Sequence, residues 1–293
     1  MTKTFFVGIG ATKAGSSWLA HYLGKHPEVA FSPIKELHYF DAIYCREHSA
    51  NWNNRWAKIH SELSTKYQAA PDDKLEQKLR CVNLRLEMVE DATVYRQYFE
   101  ELIRDYHKAF GEITPAYSLL PESGFKAIIE LYPNAKFIFI MRDPTFRYLS
   151  QIQFSETILE IEGKNRELHF DPNLKAIELL ENTAYTSRSD YKRTIESLLS
   201  VTDPRNLCTL FYEKIFSSTC NREIQKLCNF LDISFQPPDI ERRINQSTSM
   251  EFDSGVIGQI KDHFSQTYDY VLMKYGDAVP ASWCRPSTRN PLA

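Results

Sequence analysis

The sequence predicts an α/β fold: a P-loop-type parallel β-sheet flanked by helices, with a helical insertion over the cleft at one end. Three observations carry that expectation. Short apolar runs alternate with amphipathic stretches of helix length, the pattern of right-handed βαβ units. The first apolar run passes through a glycine-bounded loop into a helix that opens on two hydroxyl residues, Ser16 and Ser17. Pro27, Pro121, Pro133, Pro144 and Pro204 fall where helices should start or stop.

Taken in order, strands are expected at residues 4–9, 29–31, 111–114, 136–141 and 206–212, each a short apolar run of the kind buried on both faces. Helices are expected at 16–25, 122–132, 144–159, 189–200, 221–231 and 256–275, where apolar residues recur at helical spacing. The stretch from about 42 to 108 differs: it is charged, poor in strand signal, and carries Trp52, Trp56 and a helical run at 73–90. It reads as an insertion within one domain spanning 1–293, set over the open end of the sheet. Ligands in such folds sit at the carboxyl ends of strands, so the insertion is placed to shape an acceptor cleft.

Composition narrows the function. The chain has 293 residues, 43% of them hydrophobic, ample for a sizeable core. Its net charge of −3 excludes a broadly basic face for nucleic acid or anionic membrane, so any positive potential is local. Six cysteines form no Cys-x-x-Cys pair and no metal-type group with histidine, which points to a reduced, cytoplasmic setting. No window approaches the length of a membrane-spanning helix, and the short N-terminal apolar run ends in glycines and Lys13, unlike a signal peptide.

Three segments can carry chemistry. In the first, Thr12-Lys13-Ala14-Gly15-Ser16-Ser17, free N–H groups and the positive end of a helix favour an anion. The spacing from Gly10 to Gly15 matches the start of a P-loop, but Ser16 stands where a nucleoside triphosphatase keeps its lysine. In the second, a buried strand ends in Arg142, Pro144 opens a helix, and Ser150 follows about two turns on. An arginine fork at a strand's carboxyl end suits a phosphate, and Ser150 could donate to the same group. In the third, Lys35-Glu36-Leu37-His38-Tyr39-Phe40-Asp41, strand alternation would point Glu36 and His38 the same way, so that they could take a proton together.

Together these segments resemble the sulfotransferases that use 3′-phosphoadenosine-5′-phosphosulfate (PAPS). The resemblance implies that residues 12–17 hold the 5′-phosphosulfate and that Arg142 and Ser150 hold the 3′-phosphate. The glutamate-x-histidine segment is similar to that of the glycosaminoglycan-modifying branch, which implies Glu36 as catalytic base with His38 beside it. Residues 111–117, 206–213 and the late Ile244-Asn245-Gln246-Ser247 also look like family features. The chain departs from that branch in having only Cys284 near its end and no Lys-Gly-Arg loop, which leaves the adenine-side contacts unassigned.

The activity so implied is transfer of a sulfuryl group from PAPS to a hydroxyl or amine of a small-molecule or carbohydrate acceptor, leaving 3′,5′-adenosine bisphosphate (PAP). No metal is expected. Lys13 is expected at the oxygen bridging phosphate and sulfate, and Glu36 or His38 at the acceptor proton. A P-loop kinase or a non-catalytic nucleotide-binding protein of the same fold are the alternatives. The first needs a lysine at Ser16, and the second has no use for Glu36 and His38.

Overall fold

The strand β1 (Thr4–Gly10) is apolar on both faces, and Phe6, Val7 and Ile9 are completely buried, so it must be covered on both sides. In the computed structural model, which describes residues 3–45, 52–88, 91–161, 171–239 and 250–284, β1 is the central strand of five. Helix α1 (Ser16–Lys25) leads to β2 (Val29–Phe31) at one edge. The chain then runs through α2 (Phe40–Tyr44), α3 (Trp52–Ala69), α4 (Asp73–Glu87) and α5 (Thr93–Glu100) to β3 (Ala109–Ile113). Helix α6 (Glu122–Leu131) carries it to β4 (Lys136–Met141) on the other side of β1.

Beyond β4 come α7 (Pro144–Ile161), α8 (Pro172–Glu178), α9 (Thr183–Thr186) and α10 (Tyr191–Leu199), then the edge strand β5 (Leu207–Phe211). Helices α11 (Tyr212–Ile215), α12 (Cys220–Leu231), α13 (Ser254–His263) and α14 (Ser265–Tyr275) follow. The strand order is β2-β3-β1-β4-β5. Every pairing is parallel, which is the part the sequence predicts. Because the chain passes from one side of β1 to the other before β4, the order reverses between β1 and β4. The crevice outside their carboxyl ends is where such a sheet takes a ligand.

Apart from shifted ends such as those of β3, which starts at Ala109, two helices differ from expectation. The helix at 256–275 is two helices, α13 and α14, which meet at Phe264, whose ring is buried. The helix at 189–200 starts at Tyr191, because the Asp190 side chain accepts from the Arg193 N–H and caps it there. The insertion is helical. Its α5 lays Tyr95 and Phe99 edge-on against Phe5 of β1, so its core is continuous with that of the sheet. Among the described residues no helix is long and apolar enough to cross a membrane.

Candidate active site

Gly15 makes the turn from β1 into α1. It adopts φ 91°, and a Cβ there would lie 3.1 Å from the Phe216 ring and 3.3 Å from that of Tyr212. Only glycine fits both the conformation and the space. No side chain caps α1, and the bond from Leu19 N–H to Gly15 O is 3.1 Å. The N–H groups of Ser16, Ser17 and Trp18 therefore precede the helix's own hydrogen bonding and present its positive end to the crevice. Thr12 and Ser17 are half-buried, while Ala14 and Ser16 are buried.

Lys13 lies in the left-handed region at φ 67°, with its ammonium 4.1 Å from the centroid of the Phe154 ring on α7. Burial, reinforced by the positive charges of Arg142 and Lys35, lowers its pKa to about 8. Burial is the larger cause, and the two neighbouring cations add to it.

The second motif joins the first directly. Arg142 leaves the end of β4 and donates from Nη1 to the Lys13 carbonyl at 3.0 Å, with its guanidinium carbon 4.6 Å from the Tyr212 ring centroid. The Tyr191 hydroxyl donates to the Arg142 carbonyl at 2.6 Å, and Glu213 accepts the Asp143 N–H at 2.9 Å. Asp143 is not a surface partner of Arg142. It is buried, accepts the Thr145 N–H at 3.0 Å and starts α7. Ser150 is half-buried on α7, one turn before Phe154 and so on the face that meets Lys13.

The third motif closes the group. The Lys35 ammonium donates to the Ser17 hydroxyl at 2.9 Å and pairs with Glu36 at 3.2 Å. His38 Nε2 stands 3.3 Å from Glu36, and Nδ1 stands 2.8 Å from Asp41. Strand alternation is not what brings Glu36 and His38 together. Both lie outside any strand, in irregular backbone at φ 58° and 49°, and there the two side chains meet. Burial alone would raise the Glu36 pKa, but the His38 hydrogen bond and the Lys35 and His38 charges outweigh it and hold it low. For His38, burial is likewise outweighed, and Asp41 and Glu36 raise its pKa.

Several residues of the group escape a reading by motif. Asp41 anchors His38 from three residues on, in the first turn of α2, a role the motif alone does not give it. Trp52 stacks on His38 with centroids 3.4 Å apart, whereas Trp56 is buried core. Glu112 is completely buried and accepts from the hydroxyls of Thr114, Tyr95 and Tyr117 at 2.6, 2.7 and 3.0 Å. Its signals are an acidic residue within an otherwise apolar strand and its place in the 111–117 segment. The segment 244–247 lies outside the described residues.

Among the described residues no three histidine, cysteine or acidic side chains are grouped to hold a metal ion. All six cysteines are free, five of them buried. A cavity of about 150 Å³ runs along α1 between Trp18, Tyr22, His26 and Pro237, and none of the predicted site residues lines it.

Comparison with known proteins agrees with this geometry. Residues 6–237 match the sulfotransferase family. The chain is similar to the membrane-associated sulfotransferase kil1 of Dictyostelium discoideum, 28% identical over 151 residues. That match covers 51% of this chain but only 22% of the relative, so the chain spans about a fifth of that protein. Among solved structures, a sulfotransferase from Alicyclobacillus acidocaldarius superposes with a TM-score of 0.66 at 17% identity, covering 97% of this chain and 100% of that one. The sulfotransferase domain from the curacin biosynthetic pathway superposes at 0.50 with 18% identity, over 81% and 76% of the two chains. At those identities the likeness is one of fold. The family match extends through all three motifs, and the chain belongs to the sulfotransferase family.

Proposed function

We propose that the chain transfers a sulfuryl group from PAPS to a hydroxyl or amine of a carbohydrate or small-metabolite acceptor. The observation that carries this reading is the bond from Arg142 to the Lys13 carbonyl, which sets a strand-end arginine against the anion loop of α1. Two separate anion sites side by side suit a nucleotide with phosphate at both the 3′ and 5′ positions, whereas an ordinary nucleoside diphosphate needs only the loop.

The residues divide the work. The loop N–H groups with Ser16 and Ser17 hold the 5′-phosphate, and Arg142 with Ser150 takes the 3′-phosphate. PAPS supplies the sulfuryl group. As the bond from sulfur to the bridging oxygen breaks, negative charge grows on the phosphate, and the Lys13 ammonium meets it. The acceptor oxygen or nitrogen forms its new bond to sulfur and gives its proton to Glu36. His38, held by Asp41, orients that carboxylate and shares the positive charge. Little covalent work falls to the protein, so positioning and charge provide most of the acceleration. No metal is assigned a role.

The test is transfer of label from ³⁵S-PAPS to a panel of sugars, phenols and amines. Labelled product that depends on Lys13 and Glu36 supports the reading. Transfer that survives in Lys13→Ala and Glu36→Gln contradicts it.

A further inference from the structure

The turn that carries the base adopts a conformation its own residues disfavour. Glu36 at φ 58° and His38 at φ 49° are both left-handed, and neither is glycine. Each costs about 1–2 kcal/mol against an ordinary conformation, so the surroundings must hold the turn.

What holds it comes from the insertion. Arg85 projects from α4 and is 1% exposed. Its Nε donates to the Leu37 carbonyl at 2.6 Å, and its Nη2 donates to the His38 carbonyl at 2.7 Å. From the sheet side, Glu112 accepts the Leu37 N–H at 3.3 Å, and the Tyr117 hydroxyl accepts the Tyr39 N–H at 3.1 Å. Consecutive peptide units of this segment are thus held between α4 on one side and, on the other, Glu112 of β3 and Tyr117 just beyond it.

Arg85 is an expensive way to fill space. Burying a guanidinium is costly, and an apolar side chain would pack α4 without that cost. Among the described residues Arg85 makes no ion pair within 4.0 Å, and its Nη1 is buried without a partner. Its hydrogen bonds go to the Leu37 and His38 carbonyls, inside the segment that holds the two left-handed residues. Packing does not require that choice.

We propose that Arg85 is a positioning residue for the reaction. It ties the helical insertion to the base by fixing the turn in which Glu36 meets His38. This rests on the reading of Glu36 as the base in sulfuryl transfer. The insertion then does more than wall the acceptor cleft. Because the group that grips the turn sits on α4, a shift of α4 would move the base.

The test compares Arg85→Lys and Arg85→Met with the wild-type chain. Three quantities are read: PAP binding by calorimetry, release of labelled sulfate from ³⁵S-PAPS with water as acceptor, and the NMR titration of His38, assigned by its loss in His38→Asn. We expect PAP binding within about twofold of wild type and sulfate release reduced at least about tenfold, the scale of a misplaced reacting group. We also expect the His38 titration to move down toward the free imidazole value as the turn relaxes away from Glu36 and Asp41. Wild-type sulfate release and an unchanged His38 titration in a folded Arg85→Met would overturn the proposal. If Arg85→Met does not fold, the same two results in Arg85→Lys would overturn it, leaving Arg85 a packing residue. Failure of the sulfotransferase reading is a separate outcome, because the wild-type chain itself would then neither prefer PAP nor release sulfate.

Discussion

Trp52 lies flat on His38, with ring centroids 3.4 Å apart and planes inclined by 10°. The first long helix of the insertion therefore covers the histidine beside Glu36, while Asp41 holds it through Nδ1. The stack shields one face of the imidazole from water and limits its rotation. Replacing Trp52 by alanine should cost about 0.5–1.5 kcal/mol of stacking, about two- to tenfold in turnover, with PAP binding unchanged. Acceptor kinetics set against calorimetry check this.

Lys13 should matter more to the transition state than to the bound donor, since its charge meets negative charge that grows only as the bond breaks. Lys13→Ala is expected to lower turnover by about 10²–10³-fold while weakening PAP binding far less. Equal losses in turnover and in PAP affinity would make Lys13 a simple binding residue.

The pH dependence separates the two candidate bases. Glu36, held below its usual value by His38 and Lys35, stays ionised until the pH falls through that lowered pKa, so a Glu36 base places the acid limb below the ordinary carboxylate range. A His38 base must be neutral and has a pKa raised by Asp41 and Glu36, so it would place the limb above the ordinary imidazole range. On the alkaline side Lys13 loses its charge as pH rises through about 8, and kcat/KM of the free enzyme should fall there. In Lys13→Arg that limb should leave the accessible range.

Gly15 should tolerate no side chain. At φ 91° with the Phe216 ring 3.1 Å from a Cβ, Gly15→Ala should destabilise the fold by about 1–3 kcal/mol and weaken PAP binding through the displaced loop. Thermal unfolding and calorimetry read the two effects independently.

Glu112 should be the costliest of the buried polar residues to remove. Glu112→Ala strands the hydroxyls of Tyr95, Tyr117 and Thr114 and the Leu37 N–H, a loss of about 3 kcal/mol or more by unsatisfied donors alone. Urea unfolding gives the figure directly.

Much of this architecture is legible in the sequence because it rests on local rules. The apolar runs of β1 and β4 and the glycine turn at Gly15 fix the sheet and the anion loop, and Pro144 marks the start of α7. The break at Phe264 was hidden, since helical spacing continues through it and only tertiary packing ends α13 there. The pairing of Glu36 with His38 was anticipated for the wrong reason. Two non-glycine residues in left-handed conformation leave no local trace, because the force that holds them comes from Arg85, far along the chain. Glu112 and Asp41 were hidden likewise, as their partners are assembled by the fold.

The measurement that bears most directly on the central claim is a calorimetric titration with PAP, with ADP as the control, on the wild-type chain and Arg142→Ala. The account predicts preferential binding of PAP and a loss of about 1.5–3 kcal/mol in Arg142→Ala, the worth of charge-assisted hydrogen bonds to the 3′-phosphate. Equal or tighter binding of ADP, or an Arg142→Ala variant that binds PAP as the wild type does, would contradict it.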